Sequence, residues 1–414
     1  MKKASLIGVN QFLGLKCTFT IKKGAEIMKN ECLVVGGGIV GMLTALELAN
    51  NGLRVTLVER ESVGQESSWA GGGILSPLYP WRYPPAVREL ANWSQQHFPL
   101  FFEKLHLATE FDPEFTRNGL LIMEPNDAER AQTWANQYQQ ELHFLNAAQT
   151  LEIEPKINKL LPTPSIWLPQ VGQVRNPRLS KALKIALIEH PLIHLREKVN
   201  IAHLQIQGDR ITGIKTTSNG ILSGDFVIIC AGAWSARLLQ DTCFLAKIKP
   251  VAGQMLMFKA IPNLLSRIVL VNGHYIIPRR DGRILAGSTM EETGFDKIIT
   301  EEARQALTTA AINIIPNLKQ YQIEEHWAGL RPGSPSGIPY IGEHPFVKGL
   351  FLNTGHFRNG VVMSLGSARL LVDLLLERDE PIIDPTPYMP TSRMNEKFDP
   401  KSPECQACKM CPEI

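Results

Sequence analysis

The chain has 414 residues, 44% of them hydrophobic and 20% charged, with 43 basic against 40 acidic side chains and a net charge of +3. That length accommodates two interlocked domains, and so even a charge balance gives no field favouring nucleic acid or an anionic membrane surface. No run approaches the roughly 18 consecutive apolar residues that would cross a bilayer, and Cys17, Cys32, Cys230 and Cys243 are too scattered for a disulfide framework, so a small-molecule partner, no membrane insertion and a reducing cytoplasm are expected.

The first 27 residues put two lysines before a mildly apolar stretch. Asn10 and Gln11 interrupt it, and no small-x-small cleavage site precedes Lys22 and Lys23. It reads as a disordered upstream extension with Met28 the functional start, rather than as a signal peptide. Residues 31–35 then form an apolar run that enters GGGIVG, followed by an apolar-periodic stretch to Leu48, the pair Asn51-Gly52, and LRVTLVE. That order is strand, glycine turn, helix, turn, strand.

Gly36, Gly38 and Gly41 stand in the G-x-G-x-x-G order at that turn. A dinucleotide demands this: a tight turn, a backbone close to the pyrophosphate, and a helix N-terminus aimed at the phosphates. Glu59, at the end of the second strand, is placed to accept hydrogen bonds from ribose hydroxyls. ESSWAGGGILSP (residues 66–77) follows in place of further helix–strand alternation, and its glycines can bring backbone amides against a long ligand. No second glycine fingerprint is present to hold NADPH, so flavin fits better than nicotinamide.

Further along, HFPLFFEKL and residues 128–145 look helical, NGLLIME and SIWLP look like strands, and PRLSKALKIALIEH reads as a helix. Short strands with turns at 207–209 and 218–220 lead to DFVIICAGAWS, a strand ending at Ala231-Gly232 near the first glycine turn. GQMLMFKAI, RIVLV, HYIIPRR and RILAGSTM read as antiparallel strands, EEARQALTTAAINII as a helix, GLFLNTG as a strand, and residues 359–376 as the last long helix. WAGLRPGSPSGIPYIG (residues 327–342) holds one arginine, Arg331, in a stretch too rich in Gly and Pro for a helix. Its guanidinium either meets a carboxylate from elsewhere in the fold or takes one carried by a ligand. The tail spaces Cys405, Cys408 and Cys411 as C-x-x-C-x-x-C; this opens like an iron–sulfur motif without its fourth ligand, and three thiolates can also hold zinc or copper(I). A tail of reduced thiols is the default, and no metal is assigned.

YIIPRRDGRILAGSTME (residues 275–291), WAGLRPG (327–333) and GHFRNG (355–360), together with the glycine turn, resemble the D-amino-acid-oxidase-like flavoproteins, and within them the glycine oxidases of thiamin biosynthesis. The resemblance extends over about residues 28–390. It implies a mixed α/β fold in which a Rossmann-like FAD-binding domain (28–110, 170–247 and 326–390) interleaves with an antiparallel-sheet substrate domain (111–169 and 248–325), followed by the tail 391–414. It implies noncovalent FAD, oxidation of glycine or similar small amines to the imine, hydrolysis to an oxo acid and ammonia, oxygen as acceptor, and a homo-oligomer. A D-amino acid dehydrogenase passing electrons to a quinone or carrier, and a non-catalytic flavoprotein subunit, are the competing readings.

By position, the resemblance gives the pyrophosphate to Gly36, Gly38 and Gly41 and the ribose to Glu59. Ser67, Ser68, Ala70, Gly71 and Gly72 line the rest of the cofactor, with Val199 at the adenine. Ala231, Gly232, Gly355, His356, Phe357, Arg358, Asn359 and Gly360 complete its surroundings. The substrate carboxylate falls to Arg331 and Tyr275, with Met290 lining the pocket and Arg358 beside the flavin. No side-chain acid or base is required if the amine binds neutral. Two positions depart from the family pattern: Ala252 before Gly253, where a basic residue is common, and Ser336 before Gly337.

Overall fold

The computed structural model describes residues 31–394 apart from 162, 163 and 245. The N-terminal extension and Cys405, Cys408 and Cys411 lie outside the described residues. Two sheets carry the fold. In the first, the order is Ile193–Arg196, Arg54–Val58, Glu31–Val35, Phe226–Ile229, Val347–Thr354, Arg210–Thr216 and Ile201–Gln207. Its central strands pair in parallel. They are short apolar runs buried on both faces, which is why they show no polar alternation.

Helices Ile39–Asn50, Pro85–Thr109, Asn176–Glu189 and Gly360–Leu375 cover one face and share a core with Cys32, Val34, Val55 and Ile228. On the other face, Leu33, Val35, Val227 and Ile229 pack against Ile211, Ile214 and Tyr340. HFPLFFEKL is the middle of a longer helix than the sequence suggested, because Pro85–Thr109 runs for 25 residues with Pro99 inside it. Residues 128–145, read as helical, divide instead: the helix Ala128–Tyr138 ends where Gln139 takes a left-handed conformation, and His143–Leu145 is an edge strand.

The second sheet runs Ile323–Gly333, Lys249–Phe258, Ile284–Gly287, His274–Pro278, Ile268–Val271, Leu120–Ile122, Ser165–Leu168 and His143–Leu145. The helix Glu301–Ile314 covers one of its faces, burying Leu307 and Ala311 against Leu256, Val269 and Ile276. Strand periodicity then sends Tyr275, Ile277 and Met255 to the opposite face. The expected domain boundary at residue 326 falls inside Ile323–Gly333, which pairs antiparallel with Lys249–Phe258 throughout. We therefore propose Gly333 as the end of the last segment on the substrate side.

Candidate active site

A cavity of about 410 Å³ opens where the C-terminal ends of the parallel strands meet the second sheet. Val35, Val58, Cys230 and Thr354 line it from those strand ends, which is where ligands bind in open parallel sheets. Of the residues expected at the site, Gly36, Gly38, Glu59, Ser67, Ser68, Ala70, Gly71, Gly72, Val199, Ala231, Gly232, Tyr275, Arg331 and the whole of 355–360 line this one space. Gly41 and Met290 are not among its lining residues.

The glycine turn is built for close approach. Gly36 has φ +108°, and a Cβ there would lie 2.5 Å from the Cys230 carbonyl oxygen. At Gly41 a Cβ would lie 1.9 Å from the Gly36 oxygen, so Gly41 acts by letting the helix press onto the turn. The Ile39 amide, at the helix N-terminus, donates to Ser68 Oγ at 2.9 Å, which ties residues 66–73 to the same point. Glu59 accepts from the Gly37 amide at 2.7 Å and from the Glu61 amide at 2.9 Å, fixing its carboxylate at the strand end. The Val199 amide donates to the Glu59 carbonyl at 2.9 Å, bringing 199–201 to the same end of the cavity.

Three glycines on the cavity face of the second sheet determine the other end. In an antiparallel sheet, directly opposed residues share a face. The pairs Val251 with Arg331, Gly253 with Gly329, and Gly287 with both Met255 and Tyr275 therefore form one surface. At Gly253 a Cβ would lie 2.1 Å from Arg331 Nη1, so the guanidinium rests directly on that backbone. At Gly287 a Cβ would lie 2.7 Å from the Tyr275 ring, and at Gly329 one would lie 2.5 Å from the Ala70 Cβ. Arg331 Nη2 donates to Ser288 Oγ at 2.8 Å, and Nη1 donates to the carbonyls of Ala252 at 3.1 Å and Thr289 at 3.2 Å. Tyr275 is buried, and its hydroxyl lies 3.6 Å from Met255 Sδ.

Sequence reading missed Ser288, Gly253 and Met255, and it missed Arg279. Arg279 is buried and donates to Gln173 Oε1 at 2.6 Å and to the carbonyls of Gly72 at 2.9 Å and Val174 at 3.2 Å. Burial lowers it to about 10, so it remains a cation at neutral pH and pins the glycine loop from below. Trp327 Nε1 holds the same loop by donating to the Ala70 carbonyl at 3.0 Å. The signal for Arg279 was its place at the end of an apolar strand, HYIIPRR, where one of two adjacent arginines must turn inward.

The segment before the last helix supplies polar atoms at the cavity wall. Asn353 Oδ1, His356 Nε2 and Asn359 Nδ2 are buried without a hydrogen-bond partner among the described residues, and all three residues line the cavity. Buried polar atoms need partners. Together with the glycine cradle and the anchored Glu59, they fit a long polar cofactor such as FAD. Burial pushes His356 down to about 3, so its ring is neutral at physiological pH and a poor proton acceptor. His344, buried elsewhere, is lowered to about 4.

Both histidines stay neutral when folded, while the unfolded chain takes up protons below its ordinary histidine pKa of about 6.5. Stability is accordingly full above that pH and falls as pH drops toward 4. Thermal melts across pH 4–8 should show this slope, and His356→Asn should make it shallower while His344 retains its share; an unchanged slope would argue against a buried neutral ring at His356.

A family model described as FAD dependent oxidoreductase (DAO) matches residues 31–374. The chain belongs to that family. This oxidoreductase uses FAD as its redox cofactor. It is 46% identical over 367 residues to the glycine oxidase of Pseudomonas aeruginosa, covering 89% of this chain and 100% of that one. The bifunctional protein ThiO/ThiG of Trichormus variabilis is 28% identical over 363 residues, covering 86% of this chain and 54% of that protein. In three dimensions the oxidoreductase superposes on the crystal structure of glycine oxidase from Geobacillus kaustophilus with a TM-score of 0.82 at 28% identity, over 90% of this chain and 100% of that one. No helix among the described residues is long and apolar enough to cross a membrane, and no group of metal-ligating side chains occurs among them.

Proposed function

We propose that this oxidoreductase oxidises glycine, and small amines like it such as sarcosine and small D-amino acids. The product is an imine that water converts to an oxo acid and ammonia, or methylamine where the substrate is sarcosine. The arrangement of Arg331 and Tyr275 on the glycine-floored face of the second sheet, opposite the cofactor cradle, carries this reading.

When bound, FAD would supply the two-electron acceptor, with oxygen as the terminal oxidant and hydrogen peroxide as its product. The substrate loses a hydride from its α-carbon and a proton from its nitrogen as the C–N bond becomes double. Arg331 receives the carboxylate in a charge-assisted contact, and its rest on Gly253 with the three hydrogen bonds above fixes where that carboxylate sits. Tyr275, held on Gly287, adds a hydroxyl beside it. Burial holds His356 neutral and makes it a poor proton acceptor, so no side chain is assigned as acid or base for an amine that binds deprotonated. Asn359 and the first amides of the helix Gly360–Leu375 face the cavity with the positive end of the helix dipole, suited to charge that builds on reduction. Arg358 lines the same wall.

The family resemblance and the similarity to ThiO/ThiG support a role in supplying glycine imine for thiazole synthesis. Oxygen uptake with peroxide release on adding glycine tests the oxidase reading. Flavin reduction that requires a dye for turnover would instead indicate a dehydrogenase. Gly253→Ala provides a second check: with no space for the methyl group, the guanidinium must move, and KM for glycine should rise about tenfold. FAD content should not change, and an unaltered KM would remove Gly253 from the account.

A further inference from the structure

The segment 291–299 leaves the second sheet just beyond the Arg331 contacts and returns to it at the helix Glu301–Ile314. One buried side chain closes its neck: Gln254 donates to Glu291 Oε1 at 2.9 Å and accepts from the Thr300 amide at 3.0 Å. Most of the loop is exposed, with Ile298 at 61% and Ile299 at 50%. Its tip nevertheless crosses to the other half of the molecule. The Phe295 ring lies 5.5 Å from that of Trp234, and the Arg237 guanidinium sits 3.6 Å over Phe295. Lys297 Nζ reaches Glu66 at 3.0 Å, and Glu66 also takes Arg60 at 3.0 Å. Arg60 in turn lies 3.8 Å over the Trp234 ring.

Arg60, Glu66, Trp234 and Arg237 all line the cavity, whereas Phe295 and Lys297 do not. Arg60 directly follows Glu59, and Trp234 follows Gly232, so these four side chains belong to the cofactor end. We propose that segment 291–299 is a clasp for FAD, in which Phe295 and Lys297 are positioning residues that hold Trp234, Arg237, Arg60 and Glu66 against the cofactor. Aromatic and cation–π contacts of this kind are strong enough to fix side chains at a half-exposed site. The substrate-side sheet thereby helps retain a ligand bound mainly by the other sheet. This inference rests on the FAD assignment and not on glycine, so failure of either can be told from failure of the other.

The test is FAD release from holoenzyme diluted into FAD-free buffer, followed by the rise in free-flavin fluorescence. Phe295→Ala should release FAD about tenfold faster, and Phe295→Tyr should restore the wild-type rate. Lys297→Glu, on an exposed side chain that does not endanger folding, should accelerate release about threefold, less so at high salt. Ile298→Ala, on the same loop but outside the ladder, should leave release unchanged. Wild-type release rates in both Phe295→Ala and Lys297→Glu would overturn the proposal. An equal acceleration by Ile298→Ala would also overturn it, because general loosening of the loop would then explain the effect. So would a raised KM for glycine with release unaltered, which would assign the segment to substrate access.

Discussion

Arg331→Ala should raise KM for glycine about a hundredfold while the protein still purifies yellow with FAD bound. Two charge-assisted hydrogen bonds to a carboxylate are together worth about 3 kcal/mol, and each 1.4 kcal/mol is a factor of ten. The guanidinium sits on the second sheet and the cradle on the first, so removing one leaves the other intact. Arg331→Lys should recover only part of the loss, since a lysine cannot reproduce the fork that spans Ser288 and the two carbonyls. Steady-state kinetics with glycine, alongside FAD content from absorbance, check both variants. Wild-type KM in Arg331→Ala would end its assignment to the carboxylate.

The largest effect on the cofactor is expected at Gly36. Gly36→Ala places a methyl group 2.5 Å from the Cys230 carbonyl oxygen at a residue with φ +108°. Neither the backbone of the glycine turn nor the strand end at Cys230 can give way without opening the cradle. The variant should purify colourless, with no FAD at the protein concentrations used. Gly52→Ala is the control. Gly52 also has positive φ, at +88°, but nothing among the described residues lies within 4 Å of the added Cβ. It should cost about 1 kcal/mol of stability through backbone strain and keep its flavin. FAD per chain, measured on both, separates loss of the cradle from strain alone.

The cofactor half was largely legible in the sequence because its signals are local. A glycine turn between strand and helix, an acid at the next strand end and a second strand ending in Ala231-Gly232 each follow from neighbours in the chain. The substrate half was less so. Arg331 and Tyr275 could be named, but the surface that aims them comes from register between strands far apart in sequence. Gly253, Gly287 and Gly329 look unremarkable singly, and only pairing across the sheet shows that a ring, a guanidinium and a methyl group rest on them.

Arg279 escaped notice for a similar reason. Its partners, Gly72, Gln173 and Val174, are more than a hundred residues away, so its place at the end of an apolar strand hints at burial without showing what it holds. Apolar spacing continues past Tyr138, so residues 128–145 read as one helix, whereas the left-handed Gln139 ends it. Segment 291–299 carries no periodicity at all, and its significance lies wholly in what its tip touches.

By the proposed function, glycine binds in this cavity and reduces the flavin. Glycine added to the holoenzyme without oxygen tests it directly, with the visible flavin absorbance as the readout. The absorbance should bleach, and admitting air should restore it with release of hydrogen peroxide. Flavin that stays fully oxidised under saturating glycine would contradict it.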